Sequence, residues 1–136
     1  MAQTRKSKPP RATAEKGPTD VHGRILLVED NGDLRDITSA LLRKIGYEVE
    51  AVATLMSARD KASERTFDVV IADIRLPDGS GLELMPLLRV HNAKLSGIAV
   101  SGADFDADAA MQAGFAVHLR KPFAFPELSA ALQRVM

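Results

Sequence analysis

Five short apolar runs, each followed by a longer segment of a different period, leave this chain few folds to choose from. The runs are Arg24 to Val28, Glu48 to Ala53, Phe67 to Asp73, Gly97 to Ser101 and Ala116 to Leu119. Most are near-continuous in apolar residues, as strands covered on both faces must be, whereas a sheet with one wet face would alternate. After the first run, Leu34, Ile37, Leu41, Leu42 and Ile45 recur at helical spacing, with Asn31 placed to cap the helix and Gly46 to end it. Further helices are expected from Ser57 to Glu64, Gly81 to His91, Asp106 to Ala113 and Pro126 to Met136. Pro86 lacks a backbone donor and would kink a helix that begins at Gly81, unless the regular part starts nearer the proline.

Strands alternating with helices over loops this short predict an α/β fold. The specific expectation is a flavodoxin-like doubly wound five-stranded parallel sheet, (βα)5, with strand order 2-1-3-4-5. At 136 residues the chain suits one such domain. Cysteine is absent, which excludes disulfide scaffolds, thiolate chemistry and Cys-ligated zinc. No apolar run is long enough to cross a bilayer and the N-terminus has no apolar signal core, so a cytoplasmic, non-membrane protein is expected.

Formal charge is zero overall but unevenly spread. Met1 to Arg24 hold Arg5, Lys6, Lys8, Arg11, Lys16 and Arg24 against Glu15 and Asp20, about +4, and the remainder is about −4. That first segment has almost no large apolar residues to offset its ordering entropy. Residues 1–23 therefore read as a disordered basic tail and 24–136 as the folded domain. Such a tail suits nucleic acid, an acidic partner or a membrane surface, or is a plain solvated extension; an organellar transit peptide is a further reading.

In an open parallel sheet, ligands sit outside the carboxyl ends of the strands. There the first strand ends in Glu29 and Asp30, the third in Asp73 and the fourth in Ser101, and Lys121 follows the fifth. Three carboxylates converging on one point repel unless a cation neutralises them, and an all-oxygen set favours a hard ion such as Mg²⁺. Lys121 adds a compact positive charge for phosphate oxygens and Ser101 a hydroxyl donor. The set is the electrostatic clamp that phosphoryl transfer requires, with Asp73, in the middle, as the nucleophile. Taken singly, each piece is a turn or helix-start device. Their common sheet edge and order give the set its meaning.

These residues resemble the receiver domains of response regulators. The likeness runs from about Arg24 to Met136 and rests on Ile25-Leu26-Leu27-Val28-Glu29-Asp30-Asn31, Asp73-Ile74-Arg75-Leu76-Pro77-Asp78-Gly79-Ser80-Gly81, Val100-Ser101-Gly102 and Lys121-Pro122-Phe123. The resemblance implies that Asp30 and Asp73 ligate Mg²⁺, that Glu29 acts largely through water, and that the Arg75 backbone carbonyl completes the metal site. It implies that Asp73 is the phosphoacceptor, that Lys121 pairs with the phosphoryl group, that Ser101 moves to hydrogen-bond it, and that Lys121-Pro122 is cis.

The implied donor is a sensor histidine kinase or a histidine phosphotransfer domain, and the implied role is a self-assisting phosphoacceptor rather than an enzyme with a separate substrate. Output is expected through a protein partner on the fourth helix, fifth strand and fifth helix; a phosphorylation-dependent dimer is compatible with that face. No DNA-binding output domain is expected after Met136. The stretch Ala113 to Pro122 also resembles receivers of hybrid histidine kinases, so a free-standing regulator and an excised receiver both fit. One departure concerns the switch: many receivers carry Tyr or Phe where this chain has His118, so Ser101 and His118 form the candidate switch pair.

Rival readings have less behind them. An Asp-nucleophile phosphatase or phosphomutase would want a second Asp where Arg75 stands. A nucleotide or flavin domain would want a Gly-rich phosphate loop where Glu29-Asp30-Asn31-Gly32 stands. A pseudo-receiver that keeps the fold as an interaction module without phosphorylation has every key residue against it.

Overall fold

A computed structural model of the chain describes residues 22–102 and 107–136. The expected tail, except for His22 and Gly23, lies outside the described residues, as does Asp106, where the fourth helix was expected to start. The sheet strands are β1 (Arg24–Val28), β2 (Glu48–Val52), β3 (Val69–Asp73), β4 (Ser96–Ser101) and β5 (Val117–Arg120). All neighbours run parallel, in the order β2-β1-β3-β4-β5, so the predicted topology holds. The helices are α1 (Gly32–Lys44), α2 (Leu55–Glu64), α3 (Leu84–Arg89), α4 (Ala107–Gln112) and α5 (Phe125–Val135).

Successive strand residues point to opposite faces, and this divides the core in two. Ile25, Leu27, Val69, Ile71, Ile98 and Val100 pack with Leu42 of α1 and Leu128 and Leu132 of α5. Leu26, Val28, Val70, Ala72 and Ala99 pack on the other face with Ala58 of α2, Leu84 and Leu88 of α3 and Ala110 of α4. Both faces are therefore covered, which is why the strands read as apolar runs. Leu42 has no exposed surface, so Leu42→Ala is expected to cost about 2–5 kcal/mol through lost transfer energy and the cavity left behind, read as a lower urea midpoint with an unchanged slope.

Element ends moved by one to three residues from the sequence expectation, for local reasons. Asn31 caps α1 as expected, its side chain accepting from the Leu34 N–H at 3.0 Å. α2 starts two residues before Ser57 because Thr54 is its cap, accepting from the Ser57 N–H at 3.0 Å. The helix expected from Gly81 to His91 is instead a 3₁₀ turn, Gly81–Glu83, followed by the shorter α3. Pro86 thus stands in the first turn of α3, where its missing N–H has no intrahelical acceptor to lose.

A small antiparallel hairpin, Arg75–Leu76 with Gly79–Ser80, leads from β3 into that turn. It closes on itself because Gly81 has no side chain: a Cβ there would lie 2.3 Å from the Asp73 carbonyl oxygen. The Gly81 N–H instead reaches the Ile74 carbonyl at 2.7 Å.

Candidate functional site

The carboxyl edge of the sheet gathers the residues that the sequence placed there. Glu29 continues the line of β1, its N–H donating to the Val52 carbonyl at 3.0 Å, and it is only 6% exposed. Asp30 follows it in the open. Asp73 ends β3 at 9% exposure, and one carboxylate oxygen from each of Glu29, Asp30 and Asp73 lies within 4.8 Å of the others.

Lys121 stands between two of these acids. Its Nζ is 2.8 Å from Asp73 Oδ2 and 3.1 Å from Glu29 Oε1. The Lys121 N–H also donates to the Ser101 carbonyl at 2.7 Å, which ties the loop after β5 to the end of β4. The Lys121-Pro122 peptide is cis, as the resemblance implied.

The other Asp73 oxygen, Oδ1, accepts from the Arg75 N–H at 3.1 Å. Both oxygens of the Asp73 carboxylate are thus oriented, one by a charge and one by a backbone dipole.

Electrostatics follow from this crowding. Burial pushes the Glu29 carboxyl above its ordinary range, against the pull of the Asn31 N–H and the Lys121 ammonium, and the Asp73 charge adds to the rise. Burial alone would lower the Lys121 pKa, but the hydrogen bonds and charges of Asp73 and Glu29 outweigh it and hold the ammonium above its usual value. The donor set fits a small divalent cation: all oxygen, several negative charges, and no imidazole or thiolate among them.

Ser101, 4% exposed, directs its Oγ to His118 Nε2 at 2.5 Å. The two candidate switch residues are therefore in direct contact, with His118 half-buried on β5 rather than at a solvated position. Burial, and then the Arg120 charge, lower the His118 pKa below its ordinary value, which favours the neutral ring.

Three contributors escaped the sequence reading. The Asn31 N–H donates to Glu29 Oε2 at 3.1 Å. The Arg35 Nη1 donates to the Glu29 carbonyl at 2.9 Å, fixing the acidic turn from one helical turn below Asn31. Asp78 reaches out of the hairpin to α2, and backbone N–H groups of Leu55 and Met56 hold its carboxyl below the ordinary range. The available hint was the Pro77-Asp78-Gly79 turn so soon after Asp73, but nothing in the spacing shows which helix such a carboxylate meets.

Comparison with known proteins points to one family. The profile of the response regulator receiver domain matches residues 25–133. The KDP operon transcriptional regulatory protein KdpE of Escherichia coli is 35% identical over 111 residues, 80% of this chain and 49% of KdpE. The transcriptional activator protein PfeR of Pseudomonas aeruginosa is 34% identical over 79% of this chain and 35% of its own length. The chain thus spans half or less of the length of these curated relatives.

Among solved structures, the receiver domain of sensor histidine kinase PA1611 from Pseudomonas aeruginosa, with a magnesium ion coordinated in its active site cleft, is 34% identical. It superposes with a TM-score of 0.73 over 82% of this chain and 95% of that one. A CheY-like response regulator receiver domain protein from Methanospirillum hungatei gives a TM-score of 0.76 at 29% identity, over 82% of this chain and 90% of its own. No helix among the described residues is long and apolar enough to cross a membrane. With the family profile covering most of its length and relatives of this identity, the chain belongs to the receiver domains of two-component response regulators.

Proposed function

We propose that this receiver accepts a phosphoryl group on Asp73, with Mg²⁺ held by Asp30, Asp73 and the Arg75 backbone carbonyl and by Glu29 largely through water. The observation that carries the reading is the seat of the Asp73 carboxylate, one oxygen 2.8 Å from the Lys121 ammonium, beside Glu29 and Asp30 at the sheet edge. The cation would neutralise the carboxylates and draw charge from the phosphoryl oxygens.

The donor is the phosphohistidine of a sensor histidine kinase or histidine phosphotransfer domain. An Asp73 oxygen attacks phosphorus as the P–N bond breaks, and the bonding pair leaves with the imidazole nitrogen. Lys121 balances the charge of one phosphoryl oxygen and the Ser101 hydroxyl donates to another. Water later cleaves the acyl phosphate, returning the carboxylate and inorganic phosphate, so the domain acts on itself and turns over no separate substrate. We place this module in residues 24–136, after a basic tail of 1–23, in the cytoplasm.

The test is intact mass after incubation with Mg²⁺ and acetyl phosphate. A phosphate-sized, base-labile gain that chelation of Mg²⁺ prevents is expected; no gain at any Mg²⁺ concentration would leave a pseudo-receiver.

Output would pass through α4, β5 and α5 by way of Ser101 and His118. A hydroxyl has one proton, so once a phosphoryl oxygen claims it, Ser101 Oγ can meet His118 only by accepting from the ring N–H. Amide spectra with and without a stable phosphoryl mimic test the link. Shifts across Ala116 to Met136 are expected in the parent and should shrink in Ser101→Ala and His118→Ala, with the double variant no worse than either single one. Shifts confined to the loops around Asp73 would sink this switch.

A further inference from the structure

The hairpin after Asp73 is held at both ends. At its base, the Ile74 N–H donates to the Val100 carbonyl at 3.0 Å and the Gly81 N–H to the Ile74 carbonyl at 2.7 Å. At its tip, Asp78 Oδ1 accepts from the Leu55 N–H at 2.8 Å and Oδ2 from the Met56 N–H at 3.0 Å. Thr54 takes the Ser57 N–H, so the first three orphan donors of α2 are all satisfied. Two of them are satisfied by a carboxylate 22 or more residues away in sequence, from a different loop.

We propose that Asp78 is a positioning residue for metal-dependent phosphorylation: its carboxylate clasps the hairpin that carries Arg75 to the start of α2, and so fixes the Arg75 carbonyl where the cation needs it. This rests on the phosphoacceptor reading above.

Two facts favour a clasp over a plain helix cap. α2 already has a side-chain cap in Thr54, yet no acidic residue in its own first turn, so the negative charge at its positive end comes from the hairpin. The hairpin also pairs only Arg75 with Ser80 and Leu76 with Gly79, far too little ladder to hold its own shape. Its tip needs an outside anchor, and two charge-assisted hydrogen bonds provide one. The low pKa of Asp78 agrees with a carboxylate held in its charged form by those donors. Geometry matters here because Mg²⁺ demands near-octahedral placement of its ligands, so a displaced carbonyl weakens binding more than it disturbs folding.

The experiment compares the parent with Asp78→Ala, Asp78→Asn and Thr54→Ala in three readouts: Mg²⁺ titration followed by amide shifts, the Mg²⁺ dependence of acetyl phosphate labelling, and the melting temperature. For Asp78→Ala, the half-saturating Mg²⁺ is expected to rise about tenfold in both titrations, the effect typical of outer-shell partners, with the labelling rate at saturating Mg²⁺ near that of the parent. Asp78→Asn keeps one acceptor oxygen and should fall between. Thr54→Ala, which weakens the same helix end without touching the hairpin, should lower the melting temperature and leave Mg²⁺ half-saturation unchanged.

Equal Mg²⁺ half-saturation in all four proteins would overturn the clasp and leave Asp78 a helix cap. So would an equal rise in Thr54→Ala, which would trace the effect to α2 stability. If Asp78→Ala does not fold, Asp78→Asn decides by the same criteria. A parent that binds Mg²⁺ but never gains phosphate would refute the phosphoacceptor reading, while the amide titration would still judge the clasp.

Discussion

Asp73→Asn is expected to abolish the phosphate-sized mass gain predicted for the parent with acetyl phosphate and Mg²⁺. The amide is nearly the same shape as the carboxylate but lacks its charge, is a far weaker nucleophile and is a poorer ligand for a hard cation. The fold should survive. The side-chain oxygen can still accept from the Arg75 N–H, and Lys121 keeps Glu29 as a partner at 3.1 Å. The variant also removes one of three crowded negative charges. Retained melting temperature with complete loss of labelling is the expected pair of results. A mass gain at the parental rate would place the acceptor on another residue.

The parts of this molecule that could be read from the chain are those set by local pattern. The apolar runs at Ile25 to Val28 and Val69 to Ala72 are strands because both faces of each are buried, and they look so in one dimension. The cap at Asn31 is likewise a matter of neighbouring residues. The start of α2 follows from a neighbouring cap, Thr54, whereas the Asp78 carboxylate that takes the Leu55 and Met56 N–H groups lies outside any window around Leu55. The site was legible as a list of residues at strand ends, since sheet topology converts chain order into proximity.

What could not be read was which of those residues touch. Lys121 lies 92 residues from Glu29 and 48 from Asp73, and only the folded sheet shows that one ammonium serves both acids. The Ser101–His118 bond was hidden for a related reason. Adjacent strands set the distance, but the choice between a solvated ring and a bonded one depends on side-chain direction.

The same crowding makes Asp30 the residue whose loss should separate folding from function. Its carboxylate oxygen lies within 4.8 Å of oxygens of both Glu29 and Asp73, and Lys121 is already engaged by those two. Without metal, two like charges at that distance repel by about 1 kcal/mol in a water-like dielectric, and more where burial lowers it. Asp30 is exposed, so the water-like figure is the relevant one. Asp30→Ala should therefore leave the metal-free protein intact and raise its melting temperature by roughly 4 °C.

With Mg²⁺ the sign reverses. The parent should gain stability from a cation that only its folded state can hold, and the variant should gain little. Removing a direct ligand should weaken Mg²⁺ binding at least as much as removing an outer-shell partner does, so acetyl phosphate labelling at millimolar Mg²⁺ should fall by about 100-fold. Melting curves of both proteins with and without Mg²⁺, alongside labelling rates, check the crossing. If the variant melts lower than the parent in chelator and takes up Mg²⁺ and phosphate as the parent does, the acidic cluster is not the metal site.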